Sequence, residues 1–255
     1  KLLIAKYNLL DDTFFSKVVE DTGAAEELIQ IILGNSEIRI IRSEPQVNIR
    51  NVENKSVILD LICTDEKGDI FNVEVQRNDN DDHQKRMRYY ISNIDTRFAE
   101  KGADYMDLPN IVSIMISEFD IFKLGKTVYH VVRRLDENNS LQDNGIKEIY
   151  INVNGNDDGD ISELMAYMLD SNGFNAKFPR ISKRVQYFKE ERSGVYSMSD
   201  GIKEYMQWYA QEYAKEYAKE YGKECRAEGI AEALKVLGIS KDEYEKKLAE
   251  QKQCQ

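Results

Sequence analysis

A hairpin between two apolar strands constrains the fold of this chain more than any other feature of its sequence. The run 57–63 (VILDLIC) is apolar on both faces except at Asp60, which is typical of a strand inside a sheet. The run 70–76 (IFNVEVQ) alternates more plainly between apolar and polar residues. Between them, 65–69 (DEKGD) fits a three-residue hairpin loop in which Gly68 supplies the positive φ. The sequence therefore predicts an antiparallel hairpin with a defined register.

This register brings two carboxylates together. If Asp65 pairs with Asp69, Asp60 lies directly opposite Glu74, and Gln76 projects from the same face as Glu74. Opposed side chains have Cβ atoms about 4.5–5.5 Å apart, and like charges at that distance are destabilising. Either one carboxyl is protonated or a cation lies between the two. Oxygen ligands favour a hard ion such as Mg²⁺ or Mn²⁺. A turn that differs by one residue would place the carboxylates on opposite faces.

Flanking periodicities predict an α/β fold. Helical spacing of apolar residues covers about 12–33 and is closed by Gly34, and a second helix over about 81–101 begins with a capping-box pattern at 81–84. The sequence also predicts further strands around Val47 and over 111–116, 127–133 and 147–152, and helices over 162–169 and 181–189. Helix, three strands, helix and strand, in that order, imply a mixed sheet whose third and fourth strands are parallel.

The last fifty residues differ in kind from the rest. The pattern Glu-Tyr-Ala-Lys at 212 and 216, followed by Glu-Tyr-Gly-Lys at 220, repeats every four residues. Such a stripe winds slowly around a helix and does not form a heptad seam. Two interpretations remain: a solvated helix packed by Tyr on its own domain, or a helix that docks or forms a homo-oligomer. We predict an α/β domain over 1–195 and a helical appendage over 196–255.

Charge and residue supply exclude several functions. With 35 Lys and Arg against 46 Asp and Glu, the net charge is -11, so bulk charge cannot drive nucleic-acid binding and a local basic patch is required. The best such patch is 177–192, which includes Lys183 and Arg184. The three cysteines form no C-x-x-C pair, which favours reduced thiols in the cytoplasm. With only two histidines as well, the chain has few residues from which a zinc site could be built. No apolar run approaches the ~20 residues that span a bilayer, so no membrane partner is expected.

Two acidic loops are interpreted as structural. Residues 154–161 imitate a calcium loop, but Met165 stands where the twelfth-position Glu should be. Residues 78–82 are interpreted as a loop and helix N-cap.

Four segments carry a resemblance to a known family. Asp60, followed after thirteen residues by Glu74-Val75-Gln76, resembles the D…E-x-K signature of PD-(D/E)XK nucleases, with Gln in the place of Lys. Together, 56–62 (SVILDLI), 68–76 (GDIFNVEVQ), 86–90 (RMRYY) and 102–105 (GADY) are similar to the PD-(D/E)XK nuclease family transposases. These belong with the recombination-promoting nucleases, in which Glu-x-Gln is usual. The likeness covers roughly residues 10 to 190.

The resemblance implies a restriction-endonuclease-like core and cleavage of DNA with Mg²⁺ or Mn²⁺. Asp60, Glu74 and the carbonyl of Val75 would hold the metal. Gln76 would replace the Lys that steadies developing charge, and an amide carries no positive charge. Arg86 or Arg88 on the following helix could supply that charge and contact DNA, as could Lys183 and Arg184 elsewhere; the alternative for each is a solvated position. Two other functions stay open: a catalytically silent relative that binds DNA or a protein partner, and RNA cleavage by the same chemistry.

Overall fold

A six-stranded mixed sheet organises the part of the chain that the computed structural model describes, residues 6–49, 56–99, 101–102, 104–191, 193–198, 200 and 203. Its strands lie in the order β1-β2-β3-β4-β6-β5. The β3–β4 and β4–β6 pairs are parallel, and the other three pairs are antiparallel. The strands are β1 (Ile40–Ile49), β2 (Val57–Asp65), β3 (Ile70–Gln76), β4 (Ile111–Ser117), β5 (Val128–Val131) and β6 (Ile146–Asn152). The predicted mixed sheet and the parallel third and fourth strands are confirmed.

Helices cover both faces of this sheet. The described α-helices are α1 (Asp12–Val19), α2 (Thr22–Leu33), α3 (His83–Phe98), α4 (Asp160–Asp170) and α5 (Pro179–Glu190). A short 3₁₀ helix, Tyr105–Asp107, follows α3. Among the described residues, no helix is long and apolar enough to cross a membrane.

Neighbouring residues of β2 show that α1 and α3 lie on opposite faces. Ile62 belongs to the core cluster that includes Met87, Ile91 and Ile94 of α3. The adjacent Cys63 contacts Ser43, whose hydroxyl donates to the carbonyl of Val19 at the end of α1. Adjacent strand residues point to opposite faces, so Ile62 faces α3 and Cys63 faces α1. Helices α2 and α5 lie on the α1 side, since α5 contacts both α1 and α2.

Two predicted helix boundaries were wrong. The segment 12–33 is two helices rather than one, because Asp21 starts a new helix by accepting a hydrogen bond from Ala24 N at 2.9 Å. Gly34 ends α2 with a φ of 59°, as predicted. The capping box at 81–84 does not form: α3 begins at His83, and the Asp82 carboxylate pairs with Arg86 at 2.9 Å instead.

Several sequence features fall outside the described residues. These include the Tyr-rich repeats at 212–223, Cys225 and Cys254. The division into 1–195 and 196–255, and association through a C-terminal helix, therefore stay predictions. Cys63 is a free, buried thiol.

Candidate active site

The hairpin of β2 and β3 has the register that its turn predicts. Leu61 pairs with Val73, and Thr64 pairs with Ile70. At the turn, Asp65 N donates to the carbonyl of Asp69 at 3.1 Å, and Gly68 has a φ of 86°. The main-chain pairing ends at Leu61–Val73, one residue before the predicted pair of Asp60 with Glu74, so the direct opposition of these two residues stays a prediction. The two carboxyls lie close enough for the charge of Asp60 to raise the pKa of Glu74.

Asp60 marks an interruption in the sheet on both of its sides. The β2–β3 pairing runs from Thr64–Ile70 to Leu61–Val73, immediately before Asp60. On the other side, the β1–β2 register passes from Pro45–Leu61 to Val47–Leu59, and Gln46 between them has a φ of 53°. At this interruption the carboxylate oxygen Oδ2 of Asp60 accepts a hydrogen bond from Val75 N at 2.9 Å. A side chain thus replaces a main-chain bond and fixes the Asp60 carboxylate beside β3.

The main-chain carbonyl of Val75 points to the same side. Ile70 N donates to the carbonyl of Asn110 at 2.8 Å, and the carbonyl of Gln76 accepts from Glu118 N at 3.1 Å. Even-numbered residues of β3 therefore bond to the β4 side of the sheet. The polar main-chain groups of the odd-numbered Val75 face β2, where Asp60 lies.

Burial and a neighbouring negative charge raise the pKa of both carboxyls. Glu74 is only 5% exposed, and its Oε1 is buried with no hydrogen-bond partner among the described residues. Burial raises the pKa of Glu74 well above its usual range, and the charge of Asp60 raises it further. Burial also raises the pKa of Asp60 to about 7, with a further contribution from the charge of Asp12. Such a pair favours either a bound proton or a bound cation.

Arg86 joins this site through Gln76. Its Nη1 donates to Gln76 Oε1 at 2.7 Å, while Gln76 Nε2 donates to the carbonyl of Asn78 at 2.7 Å. The positive charge of Arg86 lowers the pKa of both Asp60 and Glu74, against the larger effect of burial. A guanidinium therefore lies at the position where the family signature has a Lys.

Arg88, on the same helix, lies away from the two carboxylates. It is exposed, and it lines a surface cleft together with Val131, Val132 and Arg133, at and after the end of β5. Of the two predicted arginines of α3, the structure thus brings Arg86 to the carboxylates and leaves Arg88 at this cleft.

Lys183 and Arg184 lie on α5, on the α1 side of the sheet. Lys183 is exposed, whereas the Arg184 guanidinium packs over the rings of Tyr187 and Phe188 and donates to the carbonyl of Lys17 at 3.3 Å. Three other cations of the predicted basic patch have partners inside the domain. Lys177 pairs with Glu163, Arg180 pairs with Glu26, and Lys189 donates to the carbonyl of Ser171. The structure does not bring Lys183 or Arg184 to the Asp60–Glu74 pair, and a DNA contact there stays a prediction.

Three residues at the site were missed by sequence reasoning alone. Asp12 begins α1, and its charge raises the pKa of Asp60. Arg77 holds the start of α1 at the end of β3 by pairing with Asp11, and it also pairs with Glu118 at 2.9 Å. The pKa of Tyr90 is raised by burial and by the charge of Glu74. The sequence could have indicated Tyr90, because a residue four positions after Arg86 lies on the same face of a helix.

In the acidic loop 154–161, the carboxylate of Asp157 has a structural role. Asp157 accepts a hydrogen bond from Thr127 N at 2.6 Å and one from Lys126 Nζ at 3.1 Å, so its oxygens hold the start of β5. Within the described residues, no group of three or more His, Cys, Asp and Glu side chains could hold a metal ion. A metal between Asp60 and Glu74 would depend on two carboxylates, a main-chain carbonyl and waters, a mixture that Mg²⁺ accepts.

Comparison with known families decides the relationship. A family model described as PD-(D/E)XK nuclease family transposase matches residues 14–162, more than half of the chain. The chain belongs to this family. The match spans the hairpin and α3, so the carboxylate pair, Gln76 and Arg86 all lie within the PD-(D/E)XK nuclease-like region, and the α/β fold agrees with it. Neither the curated proteins nor the solved structures compared with the chain gave a match.

Proposed function

We propose that this PD-(D/E)XK nuclease family transposase is a metal-dependent endonuclease that hydrolyses DNA phosphodiester bonds. The observation that carries the proposal is the closeness of Asp60 to Glu74, two carboxyls with raised pKa values. Among the described residues, Oε1 of Glu74 is buried and has no hydrogen-bond partner. Since buried carboxylates are stable when paired with a cation, this donor set fits Mg²⁺ or Mn²⁺.

The proposed ligands are Asp60, Glu74 and the carbonyl of Val75. When bound, the metal polarises a phosphate oxygen and lowers the pKa of a water molecule that attacks phosphorus. The hydrogen bond from Val75 N holds the Asp60 carboxylate in place before the metal arrives. Because ligands must be deprotonated, metal binding at neutral pH releases protons from this pair.

Arg86 supplies the positive charge that Gln76 lacks. The Gln76 amide is held at both ends, by Arg86 and by the carbonyl of Asn78, so it positions the guanidinium beside the carboxylates. A fixed cation that faces the scissile phosphate stabilises the charge that develops in the transition state.

The alternative is a catalytically silent relative that binds DNA or a protein partner. The observation in its favour is that both polar ends of Gln76 already hydrogen-bond to other groups of the protein, which leaves this side chain less able to orient a water molecule or a phosphate.

Cleavage assays on three substrates separate these functions. We would incubate the purified full chain with supercoiled plasmid, single-stranded DNA and single-stranded RNA, each in Mg²⁺, Mn²⁺ or EDTA. The proposal predicts DNA cleavage that requires a metal. Metal-dependent cleavage of RNA alone would show that the protein is a ribonuclease. DNA binding without cleavage of any substrate would establish the catalytically silent alternative.

A further inference from the structure

A second buried oxygen without a partner lies beside Glu74. Asn72 is fully buried, and its Oδ1, like Glu74 Oε1, has no hydrogen-bond partner within the described part of the chain. The two residues are two apart on β3, so their side chains share the face beneath α3. Unpartnered polar atoms are rare in protein interiors, and two adjacent ones call for a common explanation.

Ser113 provides the third member of this group. It pairs in register with Asn72 across the parallel β3–β4 ladder and is fully buried. Asn72 Nδ2 donates to Ser113 Oγ at 3.0 Å, and the Ser113 hydroxyl donates to Met87 Sδ at 2.8 Å. The amide nitrogen of Asn72 thus points to a hydroxyl that could equally donate, while both unpartnered oxygens are acceptors.

A half-turn of the Asn72 carboxamide gives both oxygens a partner. The Ser113 hydroxyl then donates to Asn72 Oδ1, and Asn72 Nδ2 is free to donate to Glu74 Oε1. Only the bond to Met87 is lost, and a thioether sulfur is a weak acceptor. The two ends of a carboxamide have nearly the same shape, so the turn needs no repacking of the core.

We propose that Asn72 is a positioning residue for the metal site, in a hydrogen-bonded relay that runs from Ser113 through Asn72 to Glu74. The relay fixes Oε1 of Glu74 and leaves its other oxygen to bind the cation. This inference rests on the proposed function, because it assigns Glu74 to a metal. Groups that orient metal ligands in this way typically contribute about 10- to 100-fold in metal affinity or activity.

Mn²⁺ binding to the full chain tests the relay. We would titrate Mn²⁺ and measure the free ion by electron paramagnetic resonance for the wild type, Asn72→Leu, Ser113→Ala and a control, Ser182→Ala. Ser182 is also fully buried, but it bonds to Asn175 in the α5 region. We expect Asn72→Leu to bind Mn²⁺ about 10- to 100-fold more weakly. Ser113→Ala should weaken binding less, and the control should bind as the wild type does.

The outcomes distinguish the relay from the proposed function. Wild-type affinity in Asn72→Leu, with near-ultraviolet circular dichroism like that of the wild type, would overturn the relay and leave the metal site standing. If Asn72→Leu does not fold, wild-type affinity in Ser113→Ala would overturn it. Absence of Mn²⁺ binding by the wild type would overturn the proposed function, and the relay with it. A relay that acts on metal binding also predicts that high Mn²⁺ restores most of the lost cleavage in Asn72→Leu.

Discussion

Val75 N donates to the carboxylate of Asp60 at 2.9 Å, immediately beyond the last main-chain pair of β2 with β3. This bond couples the backbone of one strand to the side chain of the other at the point where the strands separate. In a regular antiparallel pair, Val75 N would donate to a main-chain carbonyl of β2. Here the half-buried carboxylate of Asp60 takes the place of that carbonyl. Burial raises the pKa of both Asp60 and Glu74, whereas the bond from Val75 N lowers that of Asp60.

Stability without metal should fall as pH rises through the acid range. The folded-state pKa of Asp60, about 7, lies above its ordinary value of 3.8, so the folded protein binds the proton more tightly than the unfolded chain does. This group therefore lowers the free energy of unfolding progressively between pH 4 and 7, by at most about 4 kcal/mol. Urea unfolding in EDTA across this range measures it.

Asp60→Asn is the matching variant. It should flatten the pH dependence and stabilise the metal-free protein at pH 8, because the amide still accepts from Val75 N without a charge. The control is Glu66→Gln, at an exposed position in the turn that follows β2, and this variant should unfold like the wild type. A variant as pH-sensitive as the wild type would show that Asp60 is ionised normally in the fold.

Mg²⁺ or Mn²⁺ should raise the melting temperature at neutral pH. At a metal concentration about 100 times Kd the gain is about 2.7 kcal/mol. For a domain of this size that corresponds to roughly 5–10 °C. Asp60→Ala and Glu74→Ala should each abolish the shift, as scanning calorimetry would show. Persistence of the full shift in both variants would place the metal elsewhere.

Arg86→Gln should reduce DNA cleavage by about 10²- to 10³-fold, the usual effect of removing a group that stabilises transition-state charge. Arg88→Gln, two residues away on the same helix, is the matched control and should lose far less, because its side chain lies at the cleft near β5. Single-turnover rates on plasmid DNA provide the comparison. Equal losses in the two variants would assign both residues to general DNA binding.

Restoring the Lys of the family signature should fail unless Arg86 is also changed. Gln76→Lys puts a second cation beside Arg86, which now bonds to Gln76 at 2.7 Å, so cleavage should weaken. Gln76→Lys combined with Arg86→Gln should recover activity, with a coupling of about 0.5–3 kcal/mol in a double-mutant cycle. A single variant Gln76→Lys faster than the wild type would contradict the role of Arg86.

The central hairpin could be predicted because its information is local. The loop 65–69 contains Gly68 at the position that needs a positive φ, and this fixes the register as far as Leu61–Val73, next to Asp60 and Glu74. Family resemblance in the same segments pointed to the same residues. The family match confirms the family, and the roles of the residues stay predictions.

Features that depend on distant partners could not be predicted in this way. The basic residues of 177–192 looked available for phosphate, but Arg180 pairs with Glu26 at 2.6 Å, more than 150 positions away in the chain. The break between α1 and α2 was hidden because apolar spacing continues across Asp21. The approach of Asp12 to the site depends on the pairing of Asp11 with Arg77, which joins a helix start to a strand end.

Plasmid nicking by the wild type and Asp60→Asn tests the central claim most directly. Both proteins, with Glu66→Gln as control, would be incubated with supercoiled DNA in Mn²⁺ or EDTA after folding is verified. We predict metal-dependent nicking by the wild type and the control, and its loss in Asp60→Asn. Equal nicking by Asp60→Asn, or nicking by the wild type in EDTA, would contradict an active site built on the Asp60–Glu74 pair.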